Sequence, residues 1–430
     1  MTKPAVNPTA NVLRDADAPF HAWYRFVLSF PAHLVRDYVD RFQLSAQDRV
    51  LDPFCGTGTT LVEAKRVGVP SVGIEALPVS HFAAATKLAW DIDSDLLRET
   101  AAKVASSALS RLDESGITDA SMSRPPSEER LLGLEDERER LLFKDAISPL
   151  PLHKTLVLQQ EIEALVPDSL LSHMRLALAA TAVASASNLR FGPEIGVGKV
   201  KPDAEVIGPW LERTLQMADD IESVVGVSHP PASVHLGDAR EADRSLDPES
   251  VDAVITSPPY PNEKDYSRTV RLESVLLGFM NDRTELRTTK KDLLRSNTRG
   301  VYKADTDDQW VAEHEEIQDI ADRIERERVR LGKTSGFERL YPRVTRLYFG
   351  GMARHFESLK SVLRPGARLA YVVGDQASYL RVMIRTGQLL ADIASATGYE
   401  VEGIELFRTR MATATRNQLR EEVLLLRWPG

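Results

Sequence analysis

The chain has 430 residues, 63 acidic against 54 basic side chains for a formal net charge of −9, 43% hydrophobic residues and one cysteine. That length is too great for one simple core and predicts two or three structural units, while the lone Cys55 excludes an internal disulfide and any zinc site of several cysteines, so no metal site is expected. No apolar run reaches the ~20 residues that span a bilayer, the first residues lack the apolar core of a signal peptide, and the acidic balance disfavours a protein that coats nucleic acid; the expectation is a cytoplasmic protein.

Residues 45–90 read as an α/β unit: the strand DRVLDPF, a Gly/Thr turn, the helix TTLVEAKRVG, the strand SVGIEA and a helix starting near Pro78. Helix, glycine and next strand fall where a right-handed βαβ crossover places them. Over residues 91–230 the strand signal fades. The Ser- and Pro-rich segment at 107–130 reads as a linker, KTLVLQQEIEAL as an amphipathic helix, and SNLRFGPEIGVGKVK as an exposed basic loop. Strand patterns return in SVHLGDA, VDAVITSPPY, ARLAYVVGD, YEVEGIELFR and EEVLLLRW. A second insertion is expected at about 279–346, with a charged helix whose Ile317, Ile320, Ile324 and Leu331 recur at helical spacing and predict a core-facing stripe. The domains expected are 1–90 as the first half of an α/β core, 91–230 as a mainly helical insertion, and 231–430 as the second half.

The turn DPFCGTGTT, residues 52–60, follows a strand and opens a helix. Gly56 and Gly58 let backbone approach a ligand, and the helix beyond supplies free amides and the positive end of its dipole. Glu75 ends the next strand, 23 positions after Asp52. An acid about 20 residues past such a turn is where a ribose diol is bound, so the ligand should contain ribose. Leu61 stands where the dinucleotide fingerprint wants a small third residue, and no Gly-Lys-Ser/Thr follows for ATP.

Asp-Pro-Phe leading into Gly-x-Gly-Thr-Thr resembles the S-adenosylmethionine loop of the amino-methylating DNA methyltransferases, the N4-cytosine and N6-adenine family. TSPPY resembles that family's catalytic tetrapeptide in Ser257, Pro258, Pro259 and Tyr260. FPAHLV, residues 30–35, is similar to the segment that packs on the methionine part of the cofactor, and Asp238 in HLGDA stands where the family places an acid on the adenine amine. The resemblance implies a Rossmann-like, doubly wound, mostly parallel methyltransferase sheet carrying a large helical insertion and a smaller second one. It also implies S-adenosylmethionine held by Phe30, Pro31, Asp52, Pro53, Phe54, Gly56, Gly58, Thr59, Thr60, Glu75 and Asp238. The substrate implied is double-stranded DNA, with a cognate restriction nuclease or defence partner and an oligomeric state left open.

The tetrapeptide has a physical rationale of its own. An exocyclic base amine is a poor nucleophile because its lone pair is conjugated into the ring. Acceptors at Ser257 and the Pro258 carbonyl can take its two N–H groups and turn the lone pair toward a sulfonium methyl, while Tyr260 stacks on a base drawn out of the helix. Methylation at cytosine C5 needs a Cys nucleophile, and Cys55 lies inside the glycine turn as a small residue filling a bend. Ser in the first position resembles the N4-cytosine branch, with N6-adenine, an RNA base-amine enzyme and a silent nucleic-acid-binding subunit as alternatives. Candidates for nucleic-acid contact are Arg190 and Lys199 in the first insertion, Lys264 and Tyr266 beyond the tetrapeptide, and Arg295, Asn297 and Arg299 in the second. The cofactor segment precedes the catalytic one by some 200 residues, opposite to the permuted order of many N4-cytosine members.

Overall fold

The computed structural model describes residues 14–25, 30–120, 130–192, 194–411 and 418–430; most of the extreme N-terminus, part of the Ser/Pro-rich segment and residues 412–417 lie outside them. The first half of the core runs through α1 (Ala32–Arg41), β1 (Val50–Asp52), α2 (Thr59–Arg66), β2 (Ser71–Glu75) and α3 (Pro78–Leu88). The helical insertion follows: α4 (Ser94–Glu114), α5 (Asp136–Glu139), α6 (Pro149–Leu165), α7 (Asp168–Thr181), a hairpin of β3 (Leu189–Arg190) and β4 (Gly196–Val197), then α8 (Ile207–Glu222). The second half holds β5 (Ala232–Leu236), β6 (Val251–Thr256), α9 (Tyr266–Thr269), α10 (Arg271–Leu276), α11 (Arg283–Asp292), α12 (Glu315–Arg330), α13 (Tyr341–Leu359), β7 (Leu363–Gly374), α14 (Thr386–Ala396), β8 (Glu400–Met411) and β9 (Gln418–Arg427).

The central sheet has the order β5-β2-β1-β6-β7-β9-β8. Neighbours from β5 to β7 are parallel, and β9 runs antiparallel between β7 and β8. This is the mostly parallel, Rossmann-like methyltransferase sheet expected. Its inner strands are buried throughout because helices cover both faces, which is why VLD and SVGIE read as unbroken apolar runs closed by an acid. From β1 the chain winds outward through β2 to β5, then returns to β6 on the other flank, so the topological switch lies between β1 and β6. Ligands of open α/β sheets bind at the carboxyl ends of strands beside such a switch.

Three expectations need correction. The segment read as a linker from residue 107 is helical to Glu114: Leu97, Ala101, Val104, Ala105, Ala108 and Leu112 bury one face of α4, and Asp93 caps its first turn by accepting from the amides of Asp95 and Leu96. The expected loop at 187–201 contains the β3/β4 hairpin. In α12, Ile317, Ile320 and Ile324 face the core as expected, whereas Leu331 lies past the last turn and is 45% exposed.

Buried charge joins the layers. Glu63 on α2 is fully buried and gathers His21, Arg36 and Arg66, so the segment before α1 is pinned to the cofactor-loop helix. Asp220 on α8 accepts from the Trp23 indole at 2.7 Å and the Phe20 amide at 3.0 Å. Leu61, Val62, Val79 and Ala83 share one apolar cluster with α4, α6, α7 and α8, so the insertion helices pack directly on α2 and α3. Among the described residues no helix is long and apolar enough to cross a membrane.

Candidate active site

A cavity of about 800 Å³ opens at the carboxyl ends of β1, β2, β5, β6 and β7, within the range that holds a cofactor or drug-sized ligand. Its first wall is the turn between β1 and α2. Gly56 and Gly58 both have left-handed φ, +54° and +84°, which favours glycine. A Cβ at Gly56 would meet no atom within 4 Å, so backbone there faces open space, whereas one at Gly58 would press on Ala84 of α3 at 3.2 Å. Pro53, Phe54, Thr59 and Glu75 line the same wall, and Phe30, Pro31 and Asp238 flank it.

Asp52, Gly58 and Thr60 lie beneath this wall rather than on it. The Asp52 carboxylate is fully buried and accepts from Thr60 Oγ1 at 2.6 Å, Thr256 Oγ1 at 2.6 Å and the Phe54 amide at 3.1 Å. Thr60 Oγ1 also lies 3.1 Å from the Ile255 carbonyl. Asp52 thus bolts β1, α2 and β6 together, and burial pushes its carboxyl up to about 6 against those three hydrogen bonds. Cys55 packs over Gly73 of β2, where a Cβ would come within 2.8 Å of Sγ; burial pushes its thiol well up. Below the turn, the buried Lys87 donates to Thr57 Oγ1 at 3.5 Å, and burial pushes its amine down to about 7.

Glu75 ends β2 at the cavity wall. Oε1 accepts from the Leu77 amide at 2.7 Å, with the Gly56 and Ala76 amides also directed at the carboxylate. Burial nevertheless pushes it up to about 7, the charge of Asp52 adding to the shift. Asp238, just past β5, is tied to Arg240 through both oxygens, at 2.9 Å and 2.6 Å. Arg240 reaches on to Asp307 at 2.5 Å and the Lys291 carbonyl at 2.9 Å.

A second part of the lining comes from Ser257–Tyr260, just past the end of β6, the strand next to β1. Ser257 Oγ donates to the Val372 carbonyl at 3.0 Å and also hydrogen-bonds with the Tyr260 phenol, so its proton is engaged and one lone pair remains available to accept. Pro258, Pro259 and Tyr260 line the cavity beside it. Tyr260 lies against Gly374, where a Cβ would come within 3.1 Å of Cε2, so only a glycine leaves the ring its place. Burial and the nearby Glu421 carboxylate push the Tyr260 phenol up, opposed by a hydrogen bond with Ser257. Tyr266 hydrogen-bonds to the backbone of Tyr260, and Lys264 lines the cavity, its amine pushed down by burial and by Arg410.

Gly374 and Glu421 were not singled out in the sequence, and Arg408 and Arg410 stand out there only as part of the basic stretch FRTRMATATRNQLR. Because β9 is antiparallel, its first residues lie at the carboxyl edge: Glu421 pairs in register with both Gly374 and Arg408. Arg408 bonds one Glu421 oxygen, and Arg410 lies 3.2 Å from the other. Gly374 ends an apolar strand, which is a readable signal; Glu421 carried none, since its position depends on strand direction.

The nucleic-acid candidates divide. Arg190 and Lys199 are exposed on and beside the β3/β4 hairpin, whose residues Gly192 and Glu194 reach the cavity rim. Arg299 is exposed and stacks over the Phe337 ring, 5.4 Å from its centroid. Arg295 is not available for base reading: it is buried, grips both Asp305 oxygens at 3.0 and 2.9 Å, and donates to the Lys290 carbonyl at 2.9 Å. Asn297 is buried too, donating to the Lys264 carbonyl at 3.1 Å and accepting from the Gly300 amide at 3.1 Å. Among the described residues no group of three His, Cys, Asp or Glu side chains is placed to hold a metal ion.

Comparison with known proteins agrees with this geometry. Residues 11–82 match the N6/N4 methyltransferase family model described as DNA methylase. The chain is 27% identical over 272 residues to the Type II methyltransferase M.BsoBI of Geobacillus stearothermophilus, a match covering 60% of this chain and only 52% of that relative's length. It is 26% identical over 444 aligned positions to the Type II methyltransferase M.AvaI of a Nostoc species, covering 96% of this chain and 87% of the relative. M.AvaI of Anabaena variabilis matches with the same figures. These likenesses support an amino-methylating DNA methyltransferase of the N4-cytosine and N6-adenine family.

Proposed function

We propose that this chain methylates the exocyclic N4 amine of cytosine in duplex DNA, using S-adenosylmethionine, by turning the base out of the helix and transferring the methyl group directly. The observation that carries the reading is that residues of the glycine turn and of TSPPY, about 200 residues apart in the chain, line one cavity. The first wall suits the cofactor: Gly56 leaves open space at its backbone, Glu75 offers a carboxylate for a ribose diol, and Phe30 with Pro31 offers apolar surface for the methionine end. Asp238 is the acceptor for the adenine amine, held in orientation by Arg240. Bound there, the cofactor supplies an electrophilic methyl on a sulfonium.

The chain's own residues do the rest. Ser257, whose proton is spent on Val372, presents its remaining lone pair to one amine N–H, and the rigid Pro258 carbonyl is the acceptor for the other. Withdrawing both N–H bonds to fixed acceptors frees the nitrogen lone pair from the ring and aims it. Tyr260 gives the base a stacking face. In this reading the exposed cations Arg190, Lys199 and Arg299 contact phosphates. Ser rather than Asp or Asn at 257 supports the cytosine branch.

The test is to incubate the protein with labelled S-adenosylmethionine and duplex DNA or RNA, digest, and identify the nucleoside by mass spectrometry. N4-methylcytosine from DNA is expected. N6-methyladenine would overturn the branch, label confined to RNA would overturn the polymer, and no label in either would overturn methyl transfer.

A further inference from the structure

Beyond TSPPY the chain does something costly. Glu263 adopts φ +67°, a left-handed conformation unfavourable for a residue with a side chain. Such strain persists only where the surroundings over-determine it, and it concentrates at functional sites. Here the surroundings are one segment of the second insertion. The Glu263 amide donates to the Ser296 carbonyl at 3.3 Å. Its carboxylate accepts from the Thr298 amide at 3.0 Å and the Thr298 hydroxyl at 2.8 Å. Asn297 holds the Lys264 carbonyl, and Lys290 Nζ lies 2.7 Å from Asp265, which caps the first turn of α9. Three consecutive loop residues, 263 to 265, are therefore each gripped by residues 290–298.

That segment is itself anchored at several points. Arg295 ties it to Asp305, the Tyr379 hydroxyl donates to the Ser296 carbonyl at 3.0 Å, and Arg240 binds the Lys291 carbonyl and Asp307. Asp307 in turn sits against α13 where Gly350 removes any side chain: a Cβ there would lie 1.8 Å from the Asp307 carbonyl oxygen. Arg295, Ser296, Asn297 and Thr298 are all buried, so these bonds are shielded from competition by water.

We infer that residues 290–307 form a strap that positions the TSPPY loop, with Thr298 as the positioning residue that holds Glu263 in its strained conformation and Asn297 as the one that holds the Lys264 carbonyl beside it. Through it Lys264 stays on the cavity wall and Tyr266 stays against the Tyr260 backbone. The same strap reaches Asp238 through Arg240, so one element of the second insertion fixes both walls of the cavity. The inference rests on the methyltransferase reading for its kinetic consequence, though not for its structural one.

The test uses the full chain with Thr298→Val, which keeps the side-chain shape and removes the hydroxyl, and Thr298→Ser, which restores it. Amide hydrogen exchange of 257–266 should accelerate roughly tenfold in Thr298→Val, with 52–60 and 71–77 unchanged, and return toward wild type in Thr298→Ser. In the same preparations kcat for transfer should fall about tenfold or more while cofactor Kd stays within about twofold. Unchanged exchange at 257–266 in a folded Thr298→Val, or acceleration spread equally over the glycine turn, would overturn the strap whether or not the wild type transfers methyl groups. Absence of transfer by the wild type, with the exchange difference present, would refute the methyltransferase reading and leave the strap standing.

Discussion

Glu75 gives the most quantitative handle on the cofactor wall. Burial raises its carboxyl to about 7 in the free protein. A ribose diol donating two hydrogen bonds favours the ionised form and lowers that value on binding, so the cofactor binds the deprotonated protein more tightly. The sign follows: affinity is full above the raised value and falls as pH drops through it, by at most about tenfold per pH unit for one proton. For a free value of about 7 and a bound value well below 6, affinity at pH 6 should be about one-tenth of that at pH 8, equivalent to ~1.4 kcal/mol. Calorimetric titration at both pH values, in two buffers of different ionisation enthalpy, reads the affinity and the released proton together. Glu75→Gln should bind more weakly at pH 8 and lose the slope. An affinity flat from pH 6 to 8 in the wild type, or a slope preserved in Glu75→Gln, would refute the assignment of Glu75 to the ribose.

Ser257→Ala removes the amine acceptor while leaving the cofactor wall untouched; transfer should fall by about 10²–10³-fold with cofactor Kd within about twofold, read by single-turnover methylation and by titration. Gly374→Ala puts a methyl group 3.1 Å from Tyr260 Cε2 and 3.3 Å from Glu421 Cγ, so the ring must move by tenths of an ångström. Its turnover should drop about tenfold with cofactor affinity intact, and an unchanged kcat would show that Tyr260 does not set the base's position. Gly350→Ala forces apart two backbones rather than two side chains, so its cost should reach or exceed the ~3 kcal/mol upper end for overpacking, measured by urea denaturation.

Much of the sheet was legible because parallel strands buried on both faces carry unbroken apolar runs, and because the residues that close those runs stand at the ligand edge. Glu75 and Ser257 follow such runs, Asp238 past the partly exposed β5 was named from the family resemblance, and all three line the cavity. Helix α4 was missed because serines punctuate an alanine-rich face, and composition masked the period that buries Ala101, Val104 and Ala108. Arg295 and Asn297 looked like exposed recognition residues in a basic stretch. In the fold their polar groups satisfy buried backbone carbonyls of a strap with no regular partner strand, a need visible only in three dimensions. Likewise Asp52 reads as a ligand residue from its place beside the glycines, yet its carboxylate is consumed by Thr60 and Thr256, the latter about 200 residues on.

The pairing of β8 only with β9, and of β9 with β7, has a consequence for the nascent chain. A ribosome releases Glu400–Met411 before Gln418–Arg427, yet β8 has no place on the sheet until β9 has docked against β7. The cofactor wall, made from residues before 240, is synthesised long before Glu421 and Arg410 arrive beside Tyr260. During translation the glycine turn, Glu75 and Asp238 emerge first, but Asp52 waits for Thr256 and Asp238 waits, through Arg240, for Asp307, so neither wall is set until the second half of the chain has folded.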